Sequence, residues 1–354
     1  MVNGSMYKYI DKSFNGDVVY TYVFPSKQIN GLVFERETIP LDFPVIKEHV
    51  ELDLAYLELS VLSTNTNVNW RVKVNGINIT REFKPIVYSK IGNYLFTKHL
   101  FDITSVLKTP ESMKRSRVNV TFKREGGQPI IIEQISIIAL VKTIEAFSTV
   151  KYYTGCLTLE PGDETSLDIG FKQKDSLLRL TCFIPNKLAE LLVNIDDKKT
   201  YRINNAHGMI DETIQASDLF EINNIKLKYV ESSEKYLPRE ICLSNLIVLS
   251  STYSKPDLFI EELDVPSRAK SSFKARIKIV NKGSSKPDKI LLVVFNKGEI
   301  ISSKSIQPVE PGGEIVEELV INQPPGQHNL VFRIIWRKLA RMWFTEEKKN
   351  VIID

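Results

Sequence analysis

Histidine, cysteine and helix-forming stretches are all scarce in this chain. Four histidines, His49, His99, His207 and His328, are spread over 354 residues. None has a second histidine or a cysteine at the spacing a zinc site requires. The three cysteines, Cys156, Cys182 and Cys242, are an odd and sparse set, which argues against a disulfide framework. Each sits among apolar residues, as small core side chains do. The patterns HExxH, GxSxG, GxxxxGK[ST] and GxGxxG do not occur, so the common hydrolase, phosphate-loop and dinucleotide signatures are missing. No catalytic residue, cofactor site or metal site is predicted.

Long apolar runs are also lacking. A membrane-spanning helix needs about 18–20 such residues. The best candidate, Ile130 to Val141, is interrupted by Glu133, Gln134 and Ser136. No large charge excess exists either: 47 basic residues face 43 acidic ones, for a net charge of +4. The surplus lies in Lys255–Asp354, with 17 basic and 13 acidic residues. So even a balance does not predict a nucleic-acid partner. The start, MVNGSMYKYI, has no basic segment leading into an apolar one, so no secretory signal is expected.

Strand signals dominate what is there. Val18–Phe24 is β-branched and aromatic. Glu51–Leu62 and Trp70–Val74 alternate apolar and polar, which places one face on a core and the other in water. Asn75-Gly76 then offers a tight hairpin turn, because both residues tolerate positive φ. Val118–Phe122 and Ile130–Val141 follow across a loop at Glu125–Pro129. Only Phe43–His49 and Lys187–Leu192 are read as short helical turns.

The order of segments repeats. Ile132–Thr143 resembles Glu240–Thr252, and Arg71–Gly76 resembles Glu190–Asp196, with Asn75 opposite Asn194. After Ser254, six alternating segments begin at Asp257, Ser272, Lys289, Glu299, Glu314 and Gln327, separated by turns rich in Gly, Pro and Asn. The expected fold is all-β: two tandem jelly-roll-like β-sandwiches over residues 1–147 and 148–254, then an immunoglobulin-like sandwich over 255–354.

The last of these resembles the CARDB family of immunoglobulin-like modules. The likeness rests on Pro256-Asp257-Leu258 with Ile260, Val280-Asn281-Lys282-Gly283, Pro311-Gly312 and Gly326-Gln327-His328-Asn329-Leu330. The first part resembles the jelly-roll domains of glycosidases and surface proteins, through Val72, Val74-Asn75-Gly76 and Phe101-Asp102-Ile103-Thr104 with Leu107. In order, the domains are similar to vertex and turret proteins of archaeal icosahedral viruses. That resemblance implies a non-catalytic assembly protein, found in the virion or in the cytoplasm before assembly. Its partners would be copies of itself and other structural proteins of a capsid or surface. A carbohydrate-binding or cell-surface adhesion protein is the alternative.

The acid sets Asp196-Asp197 and Glu261-Glu262-Asp264 could in principle serve glycoside hydrolysis. Neither is flanked by a sugar cleft, and no enzyme is expected. Trp70, Tyr152 and Tyr153 could stack on a glycan. Trp70 alternates with Val72 and Val74 and is assigned to the core, while one ring of the Tyr pair is expected to face outward. The segment Phe332–Phe344 is the candidate contact surface, through Phe332, Arg333, Trp336, Arg337, Lys338, Arg341, Trp343 and Phe344. As strand–turn–strand it closes the last sandwich; as a helix it would be basic and amphipathic.

Overall fold

The computed structural model describes residues 2–31, 35–44, 50–124, 126–216, 219–230, 240–338 and 341–354. The protein is all-β and divides into two compact units, Met1–Thr252 and Tyr253–Asp354. The first unit begins with β1 (Asn3–Val23), β2 (Lys27–Ile29), β3 (Glu35–Asp42), β4 (Glu51–Ser63), β5 (Trp70–Val74), β6 (Ile77–Thr80), β7 (Val87–Ile91) and β8 (Tyr94–Asp102). Two single-turn helices follow, α1 (Thr104–Leu107) and α2 (Pro110–Met113), then β9 (Arg117–Arg124) and β10 (Ile130–Leu159). The second sandwich adds β11 (Glu164–Phe171), β12 (Ser176–Ile184), β13 (Glu190–Ile195), β14 (Lys199–Ile203), β15 (Gly208–Ala216), β16 (Ile222–Val230) and β17 (Ile241–Tyr253).

The expected repeat is present as topology. The small sheet of the first sandwich runs β3-β9-β5-β6, and that of the second runs β11-β16-β13-β14, in the same order. The large sheets are joined into one, β15-β12-β17-β10-β4-β8-β7, with β1 and β2 paired along β10. The strand β10 belongs to both sandwiches, and the expected boundary at 147/148 falls inside it. Its partner β1 runs beside it from Asn3 opposite Thr158 to Val23 opposite Ile135. Only Val18–Phe24 of β1 carries a strong strand signal. Its earlier part, with Asn3, Gly4 and several Lys and Asp, is held extended by a neighbour with free hydrogen-bonding groups.

Each sandwich has its own core. Leu57, Leu59, Val61, Trp70, Val72, Val74, Val120, Phe122, Ile135 and Ile137 pack in the first. Leu178, Leu180, Leu191, Val193, Ile225, Leu227, Leu243 and Leu246 pack in the second. Burying each such side chain contributes about 1.5–3 kcal/mol. The alternation in β4 had implied that its second face meets water. Instead Glu58, Ser60 and Leu62 on that face are buried, because the first sandwich is covered by the second. Alternation records which face is apolar, but not what lies on the other.

Local details follow turn chemistry. Asn75 and Gly76 both take positive φ, at 49° and 88°, between β5 and β6. In the second sandwich this role falls to Asp196 and Asp197, also at positive φ, and not to Asn194, which lies inside β13. Asp102 accepts the N–H of Thr104 at 2.9 Å, and Thr104 Oγ1 accepts the N–H of Ala55 at 2.9 Å, so the Phe101–Thr104 motif ties β8 to β4. The helical turn expected at Lys187–Leu192 is a turn on Asn186 leading into β13. Of the turn expected at Phe43–His49, residues 45–49 lie outside the described residues.

The second unit is an immunoglobulin-like sandwich. Its strands are β18 (Leu258–Asp264), β19 (Arg268–Ala269), β20 (Ser272–Asn281), β21 (Lys289–Asn296), β22 (Glu299–Ile306), β23 (Glu314–Asn322), β24 (Gly326–Lys338) and β25 (Arg341–Ile353). They form a three-stranded sheet, β18-β20-β23, and a five-stranded one, β19-β25-β24-β21-β22. Ile277, Ile279, Leu292, Val294, Phe332, Ile334 and Trp336 fill the space between.

Candidate functional site

The candidate surface Phe332–Phe344 forms the β24–β25 hairpin, with Lys338 opposite Arg341 and Trp336 opposite Trp343. Leu339 and Ala340, the connection, lie outside the described residues. The two-residue period of a strand divides the proposed contact residues between two faces. Phe332 and Trp336 point into the core, and Trp336 Nε1 donates to the Pro256 carbonyl at 3.1 Å. Lys338 is buried too, its Nζ donating to the Lys286 carbonyl at 2.7 Å. These three cannot contribute to a contact surface. Trp343 is half-buried against the core. Arg341 lies in β25, with its side chain outside the described residues.

The other face is presented outward. Register places Leu291, Ile335 and Phe344 in one row across three strands, and Val293, Arg333 and Glu346 in the next. Arg337 lies opposite Met342. Phe344 is 60% exposed and Met342 72%. The Arg333 guanidinium stacks 4.6 Å from the centre of the Phe344 ring and 5.0 Å from that of Phe295. It also donates to Glu346 Oε2 from Nε at 3.0 Å and from Nη2 at 2.6 Å. The result is a sheet face with an apolar row beside a fixed ion pair. The sequence carries the residues of this face; only the pairing of β21, β24 and β25 sets them side by side.

A second constellation lies inside the first unit, between the two large-sheet faces. Lys98 on β8, Glu58 and Ser60 on β4, Gln134 on β10, and Ser244 and Asn245 on β17 are all essentially inaccessible to water. Lys98 pairs with Glu58 and donates to Ser60 Oγ at 2.9 Å and Asn245 Oδ1 at 2.7 Å, as well as to Ser244. Glu58 also accepts the Tyr152 hydroxyl proton. Asn245 Nδ2 donates to the Tyr20 hydroxyl at 3.1 Å. Apolar clusters flank the layer: Ile10, Phe14, Ile138, Leu140, Val150 and Ile247 to one side, and Leu62, Ile91, Phe96 and Met209 to the other. Burial pulls the Lys98 pKa down despite the adjacent carboxylate, and pushes those of Tyr20 and Tyr152 up. Taking charges out of water costs several kcal/mol per ion, so a buried pair is poorly explained as a stabilising device alone. The sequence reading missed this group. Its one trace is the run Glu133, Gln134, Ser136 that breaks the apolar stretch of β10.

The remaining candidates take structural roles. Trp70 is in the first core, 4.8 Å from Phe83 and 4.9 Å from His99 between ring centres. Tyr152 and Tyr153 are both buried, so neither ring faces outward as expected. Tyr153 lies in the core of the second sandwich, and Tyr152 points the opposite way, into the contact with the first, where its hydroxyl meets Glu58. Asp196 accepts the N–H groups of Asn223 and Asn224 at 3.0 and 2.7 Å, and Asp197 pairs with Lys226 at 2.8 Å. Glu261 pairs with Lys278 at 2.8 Å. Cys156 and Cys242 are buried with their sulfurs 3.0 Å apart, and Cys182 is buried separately. Among the described residues no group of three or more metal-ligating side chains converges, and no helix is long and apolar enough to cross a membrane.

No family model matches the chain, and no curated protein matches it. Among solved structures it is similar to the glycoside hydrolase domain of Endo-D from Streptococcus pneumoniae R6, at 13% identity and a TM-score of 0.19. It is also similar to a glycosyl hydrolase family 2 member from Bacteroides cellulosilyticus DSM 14838, at 14% and 0.24, and to a β-glucuronidase of Ruminococcus gnavus, at 11% and 0.19. Each match covers 58% of this chain and, in the same order, 33%, 28% and 35% of the other. The chain thus spans about a third of the length of these proteins.

Proposed function

We propose that the chain is a non-catalytic structural protein that associates with copies of itself through the outer face of the sheet β19-β25-β24-β21-β22. The observation that carries this reading is the pair of exposed side chains Phe344 and Met342 on β25, set beside the Arg333–Glu346 pair. Contiguous exposed apolar surface rimmed by polar groups marks contact sites. A face holding both an arginine and a glutamate at its centre can meet its own copy about a two-fold axis, each Arg333 facing the other's Glu346. The domain order supports a more specific form of the proposal, a vertex, turret or spike component of an archaeal virion, made in the cytoplasm before assembly.

The test is the solution mass of the intact chain by size exclusion with light scattering, over a hundredfold range of concentration. A closed oligomer is expected. A monomer at all concentrations, together with binding on a glycan array, would replace this reading with a carbohydrate-binding adhesion protein.

A further inference from the structure

We propose that the buried cluster between the two sandwiches is a self-modification site, in which the Lys98 amine and the Asn245 side-chain amide join as an isopeptide bond that cross-links β8 to β17. Nucleophile, electrophile and proton carrier are already in contact. Lys98 Nζ lies 2.7 Å from Asn245 Oδ1. A hydrogen bond of that length holds the amide carbon roughly 3–3.5 Å from the nitrogen, the separation of a near-attack arrangement. An amine attacks only when it is neutral. Burial favours that form of Lys98. The Glu58 carboxylate touches Nζ and is placed to take its proton.

The amide is activated and oriented as well. Ser244 Oγ lies 3.2 Å from Asn245 Oδ1 and can donate to the oxygen as negative charge develops there. Asn245 Nδ2 donates to the Tyr20 hydroxyl at 3.1 Å, which fixes which end of the amide faces Lys98. In the step, a bond forms from Nζ to the Asn245 side-chain carbonyl carbon, and the bond from that carbon to Nδ2 breaks. One proton passes from Nζ through Glu58 to Nδ2, and the leaving group departs as ammonia. No oxidant or co-reactant is consumed. Exclusion of water by the flanking apolar clusters removes the competing nucleophile.

Asn245 is favoured over the two other acyl groups nearby. The Gln134 amide oxygen is 3.5 Å from Nζ, against 2.7 Å for Asn245 Oδ1, and it accepts from Ser60 at 3.0 Å. Glu58 as a carboxylate is a poor electrophile, and its second oxygen is held by Tyr152. The bond would fasten the first sandwich to the second at the centre of their contact.

The test is the intact mass of the whole purified chain under denaturing conditions, followed by tryptic mapping. The expected mass is about 17 Da below that of the sequence, one ammonia. The map should hold a branched peptide joining Lys98 to Asn245, with no cleavage after Lys98. The Glu58→Gln and Asn245→Ala chains should show no such loss. A wild-type chain of full mass, with linear peptides carrying Lys98 and Asn245, overturns the proposal whether or not the variants fold. A loss of about 18 Da mapped to Lys98 and Glu58, one water, overturns it too.

Discussion

The side-chain oxygen of Asn281 accepts the backbone N–H of Gly283 at 3.0 Å, and the same oxygen holds the N–H of Asp257 at 3.1 Å. Its amide nitrogen donates to the carbonyls of Ser285 and Val309, both at 2.9 Å. One buried asparagine thus ties the entry of β18, the end of β20 and two loops together. The Val-x-Asn-x-Gly pattern is a bracket of turn chemistry. Gly283 is required because a Cβ there would lie 2.2 Å from the Lys255 carbonyl oxygen.

Asn281→Ala should therefore destabilise the second unit by about 2–4 kcal/mol, because it orphans several buried partners. Gly283→Ala should weaken the same loop by forcing it off Lys255. Hydrogen exchange resolved by residue is the measure. Faster exchange should appear in β18–β25 and not in β3–β17. Uniform loss of protection over both units would contradict the assignment.

His99 gives the fold a dependence on pH. It is buried among Trp70, Phe83 and Phe101. Burial, opposed by a backbone hydrogen bond at Lys84, lowers its pKa from 6.5 to about 3. The unfolded chain then takes up the proton first as pH falls. The stability owed to neutral His99 is complete above about pH 6.5 and is lost progressively toward pH 3, by about 2 kcal/mol at pH 5. Urea unfolding at pH 7 and pH 5 should show that difference in the wild type and a smaller one in His99→Leu. Equal differences in the two proteins would remove His99 as the cause.

The outer face of the second unit makes a separable expectation. Phe344→Ser removes an exposed ring that contributes little to the core, so thermal stability should change by less than about 0.5 kcal/mol. Self-association should fall at least tenfold, read by light scattering across a dilution series. Arg333→Glu places like charges beside Glu346 and should act in the same direction, and more steeply at low salt. Oligomers that persist in both variants would place the contact elsewhere.

The sequence by itself determined the class of fold and most of its punctuation. Strand periodicity marked β4, β5, β9 and six strands of the second unit, β18 and β20 to β24, to within a residue or two, while β19 was unmarked and β25 was anticipated only as far as Phe344. Turn residues such as Asn75-Gly76 marked where the chain reverses, because positive φ is a local property of the residue. Even the repeat was legible as an order of segments. What pairs with what was decided only by the tertiary structure. A sequence pattern reports that Glu58, Lys98 and Asn245 are polar, and the default place for polar side chains is water. They are buried because two sheets, each amphipathic on its own account, meet through their outer faces. That contact depends on β1 and β10 running on from one sandwich into the next. The same holds for the candidate surface. Composition singled out the aromatic and basic run Phe332–Phe344, but the strand's two-residue period sent Phe332, Trp336 and Lys338 inward and left Arg333, Arg337 and Phe344 outside. Long-range pairing, which no local propensity encodes, turned both sets of residues into sites.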